Sequence, residues 1–168
     1  MTWRPSKNGR FSVKSAYALL LDIEAPWRIC RGAVPTLDNL ARCCCDVDTR
    51  CAICDAEMES MRRVFLECHF ARVVWAISGL PQRMVAGWGT SAADWMSQAL
   101  AQGDIQEQGC FLVVCWGLWR HRNKRLIEGA VQEPQEVLQG AVLFLSKYLE
   151  ARQKLKVGTS VQAVDHAG

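Results

Sequence analysis

One short stretch, CAICDAEMESMRRVFLECH at residues 51–69, narrows the structures open to this chain more than any other. Cys51 and Cys54 stand two residues apart, Cys68 follows one helix-length later, and His69 adjoins it. A Cys-x-x-Cys turn lets two thiolates reach one ion, and a third thiolate on a following helix ties that helix to the turn. A structural zinc site needs four soft or borderline ligands in a tetrahedron. The fourth is expected about one turn before Cys68, where the chain has Arg63 and Val64, neither of which binds a metal. The pattern is therefore incomplete. His69 could complete it only from a strained position, because adjacent residues on a helix diverge. The other source is a thiolate of the preceding loop, Cys45, or else Cys44 or Cys43.

The number of cysteines supports thiols or metal ligands over bridges. There are nine, an odd count, in a chain whose start, MTWRPSKNGRF, has no apolar run that could act as a secretory signal. Six of the nine fall between Cys43 and Cys68. Cys110 and Cys115 lie in the apolar run CFLVVCWGLW, where small buried hydrophobes on a helix are expected. That run is too short to span a bilayer and leads straight into RHRNKR. A soluble, intracellular chain is expected, in nucleus or cytoplasm, with no membrane partner and no small-molecule substrate.

Apolar periodicity predicts a mainly α fold: a small helical domain with a zinc-knuckle-like loop and a short hairpin, followed by long C-terminal helices. Ser12 is a candidate cap for a helix carrying Val13, Ala16, Tyr17, Leu20 and Leu21, and Thr36 for a short helix in PTLDNLARCC. From Glu59 the spacing of Met61, Val64, Phe65, Cys68, Val73 and Trp75 predicts a helix reaching SGLP at 78–81. The sequence SAAD at 91–94 has capping-box spacing and opens a helix through about Ala101. A long helix runs from Asp104 to Glu128 and closes at Gly129, its basic end suiting the negative pole of the helix dipole. After QEP a last helix places Val137, Leu138, Val142, Leu145, Tyr148 and Leu149 on one face. The expected division is a knuckle domain over 1–80, a helical linker-like region over 81–156 and a disordered tail over 157–168.

Several motifs in order, GRFSVKSAY, WRICRGAVPTLDNLARC, DTRCAICDAEMES, FLECHFARVVW and WGLWRHRN, resemble the zinc-binding domain that follows the polymerase domain in plant LINE-type (non-LTR) retrotransposon reverse transcriptases. The resemblance is close over residues 3 to about 77, and the Trp-Arg-x-Arg-Asn piece resembles the linker that precedes an RNase H-like domain. It implies zinc as cofactor, with Cys51, Cys54 and Cys68 as ligands. It also implies a histidine at the position held here by Arg63, and a longer segment where LLLDIEAPWRIC is continuous. A site weakened or rearranged at its fourth ligand, in a degenerate copy, is the expectation that follows, with loss of zinc as the alternative.

No catalytic function is expected. The one close pair of aspartates, Asp46 and Asp48, lies in the knuckle loop and suits a solvated turn better than a metal-holding polymerase pair. The nucleotide-cradling and zinc-protease motifs GxxxxGK[ST], GxGxxG and HExxH are absent, as is the serine-nucleophile motif GxSxG. A binding function has one candidate besides the metal. Arg120, Arg122, Lys124 and Arg125 gather at the end of the long helix beside Trp116 and Trp119, a composition that could hold RNA or DNA by phosphate contacts and stacking. The alternative is a solvated, dipole-compensating helix end whose tryptophans belong to the core. Twenty basic residues against 17 acidic ones, a net charge of +3, neither demand nor exclude such a partner.

Overall fold

A computed structural model describes residues 29, 31–43 and 46–162 of the chain. The helix expected from Ser12, together with Cys30, Cys44 and Cys45, lies outside these residues. Six α-helices and one π-type turn are described: α1 (Leu37–Arg42), the π-type turn (Arg63–Glu67), α2 (His69–Ile77), α3 (Gln82–Val85), α4 (Ala92–Gln102), α5 (Ile105–Glu128) and α6 (Pro134–Gln162). No strand occurs among the described residues. The short hairpin expected near the cysteines is one antiparallel bridge between Arg50 and Met58.

The long helices begin and end where their caps require. Asp104 accepts from the Gln106 and Glu107 N–H groups, at 2.8 and 2.9 Å, while the Glu107 carboxylate accepts the Asp104 N–H at 3.0 Å. This reciprocal capping satisfies amides that would otherwise lack partners. At the other end Gly129 adopts a left-handed conformation with φ 65°, which costs glycine nothing. Ser91 caps α4 by accepting from the Asp94 N–H at 3.1 Å. Hydroxyl bonds from Thr90 and Ser91 hold the Asp94 carboxyl below its ordinary range. Thr36 stands at the start of α1 with no side-chain capping bond to the helix.

Two expectations about the helices are corrected. The segment after Glu59 is not one continuous helix. It starts at Met61, widens into the π-type turn and breaks at Cys68, whose ψ of 135° is extended. Of the expected face of α6, Val137 is buried, Leu138 and Leu145 are half-buried and Val142 is 47% exposed. Ala141 joins the buried stripe, and the side chains of Tyr148 and Leu149 lie outside those described. The physical reason lies on α5. Gly117 lets α6 approach so closely that a Cβ there would meet Ala141 Cβ and Val137 Cγ1 at 3.4 Å, so the contact stripe follows these two residues. The same helix continues to Gln162, into the segment expected to be a tail.

The core is aromatic and centred on Trp95, which has no exposed surface. Its ring lies 5.1 Å from Phe111, 5.2 Å from Trp88, 6.3 Å from Phe65 and 6.4 Å from Trp75. Such offset and edge-on pairs add to the stabilisation that burial alone provides. Trp75 donates its indole N–H to the Phe65 carbonyl at 2.6 Å, joining α2 to the π-type turn. Cys115 is buried in this apolar layer and Cys110 half-buried beside it, as the apolar run predicts. Burial pushes both thiols up, and they stay neutral packing groups. No helix among the described residues is long and apolar enough to cross a membrane.

Candidate metal centre

The knuckle is closed by backbone bonds on either side of its two cysteines. The Cys51 N–H donates to the Glu57 carbonyl at 2.7 Å, the Asp55 N–H to the Cys51 carbonyl at 2.8 Å, and the Glu59 N–H to the Thr49 carbonyl at 2.7 Å. Asp55 takes the left-handed conformation at φ 58° that a turn this tight demands, and an aspartate tolerates it better than most side chains. Arg50 spans the mouth of the turn, paired with Asp48 at 2.6 Å and Asp55 at 3.2 Å. Asp48 is thus occupied by a cation of its own loop, and Asp46 is exposed.

The third cysteine is delivered by the π-type turn. The Cys68 N–H donates to the Arg63 carbonyl, five residues back, at 2.9 Å. This wider turn and the extended Cys68 that follows break the helix at the point where the sulfur must face the knuckle. Isolated π-type turns recur at functional sites for this kind of reason. The Sγ atoms of Cys51, Cys54 and Cys68 all lie within 4.8 Å of one another. Cys51 and Cys68 are 3.9 Å apart, and a tetrahedral zinc with Zn–S bonds of about 2.3 Å would set its sulfurs about 3.8 Å apart. The donor set and its spacing fit zinc.

Cys51 and Cys68 are buried, at 1% and 0% exposure, and Cys54 is half-buried. The Cys68 thiol, hydrogen-bonded to Cys51, pushes the Cys51 thiol down to about 5, helped by the backbone N–H groups of Cys54 and Ile53 against the opposing effect of burial. Cys68, which then holds the shared proton, is pushed up by that bond and by burial. A cation entering the cluster would displace the proton that the two sulfurs share.

Arg63 occupies the fourth side of this cluster. Its Nη2 lies 3.7 Å from Cys54 Sγ and its Nη1 bonds Glu57 at 2.6 Å. The side chain is only 13% exposed, and its Nε N–H is buried with no acceptor. The two expected substitutes for a fourth ligand fare differently. His69 is exposed at the start of α2 and is not part of the sulfur group. The break at Cys68 does not turn its imidazole inward. Cys45, like Cys44, lies outside the described residues, and Cys43 is exposed at the end of α1.

One residue central to this site escapes a sequence reading. Glu59 is fully buried. Its carboxylate accepts the Leu37 N–H of α1 at 2.9 Å and the Ala52 N–H of the knuckle at 3.2 Å. Arg122 of α5 completes it, with Nε at 3.0 Å and Nη2 at 2.5 Å from Oε1. Both charges are dehydrated, but every oxygen has donors, the condition under which a buried pair holds. The pairing joins residues 63 positions apart, so no local pattern signals it. The only hint is an arginine following the apolar face of α5 by less than one turn.

This pair corrects the expected cationic cluster. Arg122 is 2% exposed and is committed to Glu59, with its guanidinium 5.0 Å from the Trp119 ring centroid. Arg120 is exposed above Trp116 at 5.1 Å, and Lys124 and Arg125 are half-buried, the latter reaching the Gly129 carbonyl at 3.4 Å. Trp116 in turn stacks on Phe144 of α6, with centroids 4.7 Å apart. The four cations do not share one surface, because the helix turns Arg122 inward while Arg120 faces solvent.

Comparison with known proteins agrees with the sulfur geometry. Residues 23–75 match the family described as zinc-binding in reverse transcriptase. The chain is 26% identical over 151 residues to the "Putative ribonuclease H protein" of Arabidopsis thaliana, covering 73% of this chain. It spans 24% of that protein, about a quarter of its length. No solved structure matches. The Cys-x-x-Cys turn and the third buried sulfur brought to it by a helix break both lie within segment 23–75, the part of the chain that matches the family described as zinc-binding in reverse transcriptase.

Proposed function

We propose that this chain is a noncatalytic module derived from a LINE-type (non-LTR) retroelement, in which zinc joins the knuckle loop to the helical half of the fold. The observation that carries this reading is the convergence of the Cys51, Cys54 and Cys68 sulfurs at the break before α2. Bound zinc would supply a cross-link between chain segments rather than chemistry on a substrate. The protein's own residues hold the elements in place: Glu59 anchors the knuckle to α1 and α5, and the π-type turn presents Cys68. Asp46 and Asp48 serve the turn, and Asp48 is neutralised by Arg50.

Zinc analysis of protein purified without chelator, followed by thermal melts with and without chelator, tests this reading. Near-stoichiometric zinc is expected. Ligand linkage gives about 4 kcal/mol of stabilisation when free zinc is about a thousand times its Kd, so chelation should lower Tm by several degrees. Metal-free protein with an unchanged melt rejects the proposal.

A second reading, RNA or DNA binding by the basic end of α5, draws support from the exposure of Arg120 above the half-buried Trp116. It has fewer cations to use once Arg122 is committed to Glu59.

A further inference from the structure

Three thiolates and one zinc ion carry one net negative charge, and zinc prefers a fourth donor. Among the described residues no fourth metal-ligating side chain joins the three sulfurs. The side chain that does adjoin them is Arg63, a permanent cation with five N–H donors and no lone pair to give. Its guanidinium touches Cys54 Sγ, and its Nε N–H is buried without an acceptor. A buried donor left unsatisfied in a native fold calls for an explanation, an absent solute among them. Arg63 also lines an open cleft of about 690 Å³ together with Glu57, Arg62, Glu67, Arg72 and Trp88, so a solute can reach its guanidinium from outside, past the carboxylates that pair with Arg62 and Arg63.

We propose that the knuckle holds zinc through three protein thiolates, and that its fourth coordination position takes a small exogenous anion, with Arg63 as that anion's charge partner. The inference rests on the zinc reading above. Binding of the metal breaks the S–H bonds still present and releases those protons to solvent. Entry of the anion displaces a water molecule, and no electrons change hands. Arg63, whose charge is shared with Glu57, stands beside the three-thiolate zinc unit and offers its spare Nε N–H to the incoming ligand. In this arrangement the arginine makes the site an anion receptor, and the substitution is more than the loss of a ligand. Halides, pseudohalides and free thiolates share the chemistry the site would accept.

Equimolar Co(II) added to the metal-free 168-residue chain provides a visible probe, with thiocyanate as the titrated anion. The expected result is a four-coordinate thiolate–cobalt spectrum that moves as thiocyanate is added. Arg63→His should bind cobalt and show no thiocyanate response, because its imidazole fills the position. Arg63→Gln, close in size and uncharged, should keep the response with an apparent thiocyanate affinity weaker by about tenfold, as expected for removal of one nearby charge. Cobalt bound with a spectrum that thiocyanate leaves unchanged in the wild-type chain overturns the inference, since the chain then supplies its own fourth donor, and leaves the zinc reading standing. Equal thiocyanate affinity in wild type and Arg63→Gln removes Arg63 from its role and also overturns it. Failure of the wild-type chain to bind cobalt or zinc at all overturns the zinc reading itself.

Discussion

The knuckle and the aromatic layer are held together by opposite means. The knuckle, residues 49–59, buries only Cys51 and Glu59. Backbone bonds, ion pairs and three converging sulfurs shape it. The layer formed by α2, α4 and α5 is shaped by Trp75, Trp95 and Phe111 packing against one another, and few polar groups intervene. The cysteines mark the contrast. In the knuckle, the bond with Cys68 and backbone amides bring Cys51 toward the thiolate, whereas burial in the layer keeps the Cys115 thiol protonated. The same residue type becomes a ligand or a core filler according to the donors the fold places around it. Packing shapes the layer, whereas backbone hydrogen bonds and ion pairs shape the knuckle.

The largest effect that separates the two regions is expected at Trp95. Replacing it with alanine removes the centre of the aromatic layer and should cost about 4 kcal/mol, read from chemical denaturation, while zinc stoichiometry of the folded fraction stays the same. Loss of zinc in that variant would show that the regions are not independent. Next comes Glu59→Gln, which strikes the seam. It leaves the buried Arg122 cation without its counter-charge and should cost about 3 kcal/mol. It should also narrow the difference between zinc-loaded and chelated melts, because the knuckle loses its anchor to α1 and α5. A variant as stable as wild type would mean that Arg122 finds water or another partner, and that the seam is polar but unimportant.

The smallest effect concerns His121, on α5, stacked on Phe70 of α2 with centroids 4.2 Å apart. Burial lowers its pKa, a bond that its imidazole donates to Gln132 opposes this, and Arg125 and Lys124 add to the lowering. A histidine held neutral in the fold takes up a proton more readily when unfolded. Its contribution is therefore complete above the unfolded value of about 6.5 and is lost as pH falls through it. Melting between about pH 7.5 and about pH 5.5 should lower Tm less in His121→Gln than in wild type. Equal losses in both would assign the acid sensitivity to the knuckle thiolates instead.

Much of the helical layer was legible in the chain itself. The capping spacing at Asp104 and Ser91, the glycine at 129 and the apolar period between them predict α4 and α5 nearly to the residue. These signals are local, and each lies within a turn or two of what it controls. The break at Cys68 was not legible, because Met61, Val64, Phe65 and Trp75 keep a helical rhythm across it, and only the pull of the knuckle interrupts the helix there. Nor did the apolar positions of α6 reveal that Gly117 would select Val137 and Ala141 over Val142.

The amino-acid order alone determined that three sulfurs would be available at knuckle spacing, that no histidine stands where Arg63 does, and that long capped helices would follow. These are properties of composition and of separations of a few residues. The tertiary structure alone decided which way Arg63 and Arg122 point, one onto the sulfur cluster and the other into a buried carboxylate 63 positions away. Both side chains carry the same charge and end in the same donors. What distinguishes them is the partner that folding places within reach, and Coulomb interactions at a few ångströms in a dehydrated interior depend on that placement far more than on the neighbouring residues in the chain.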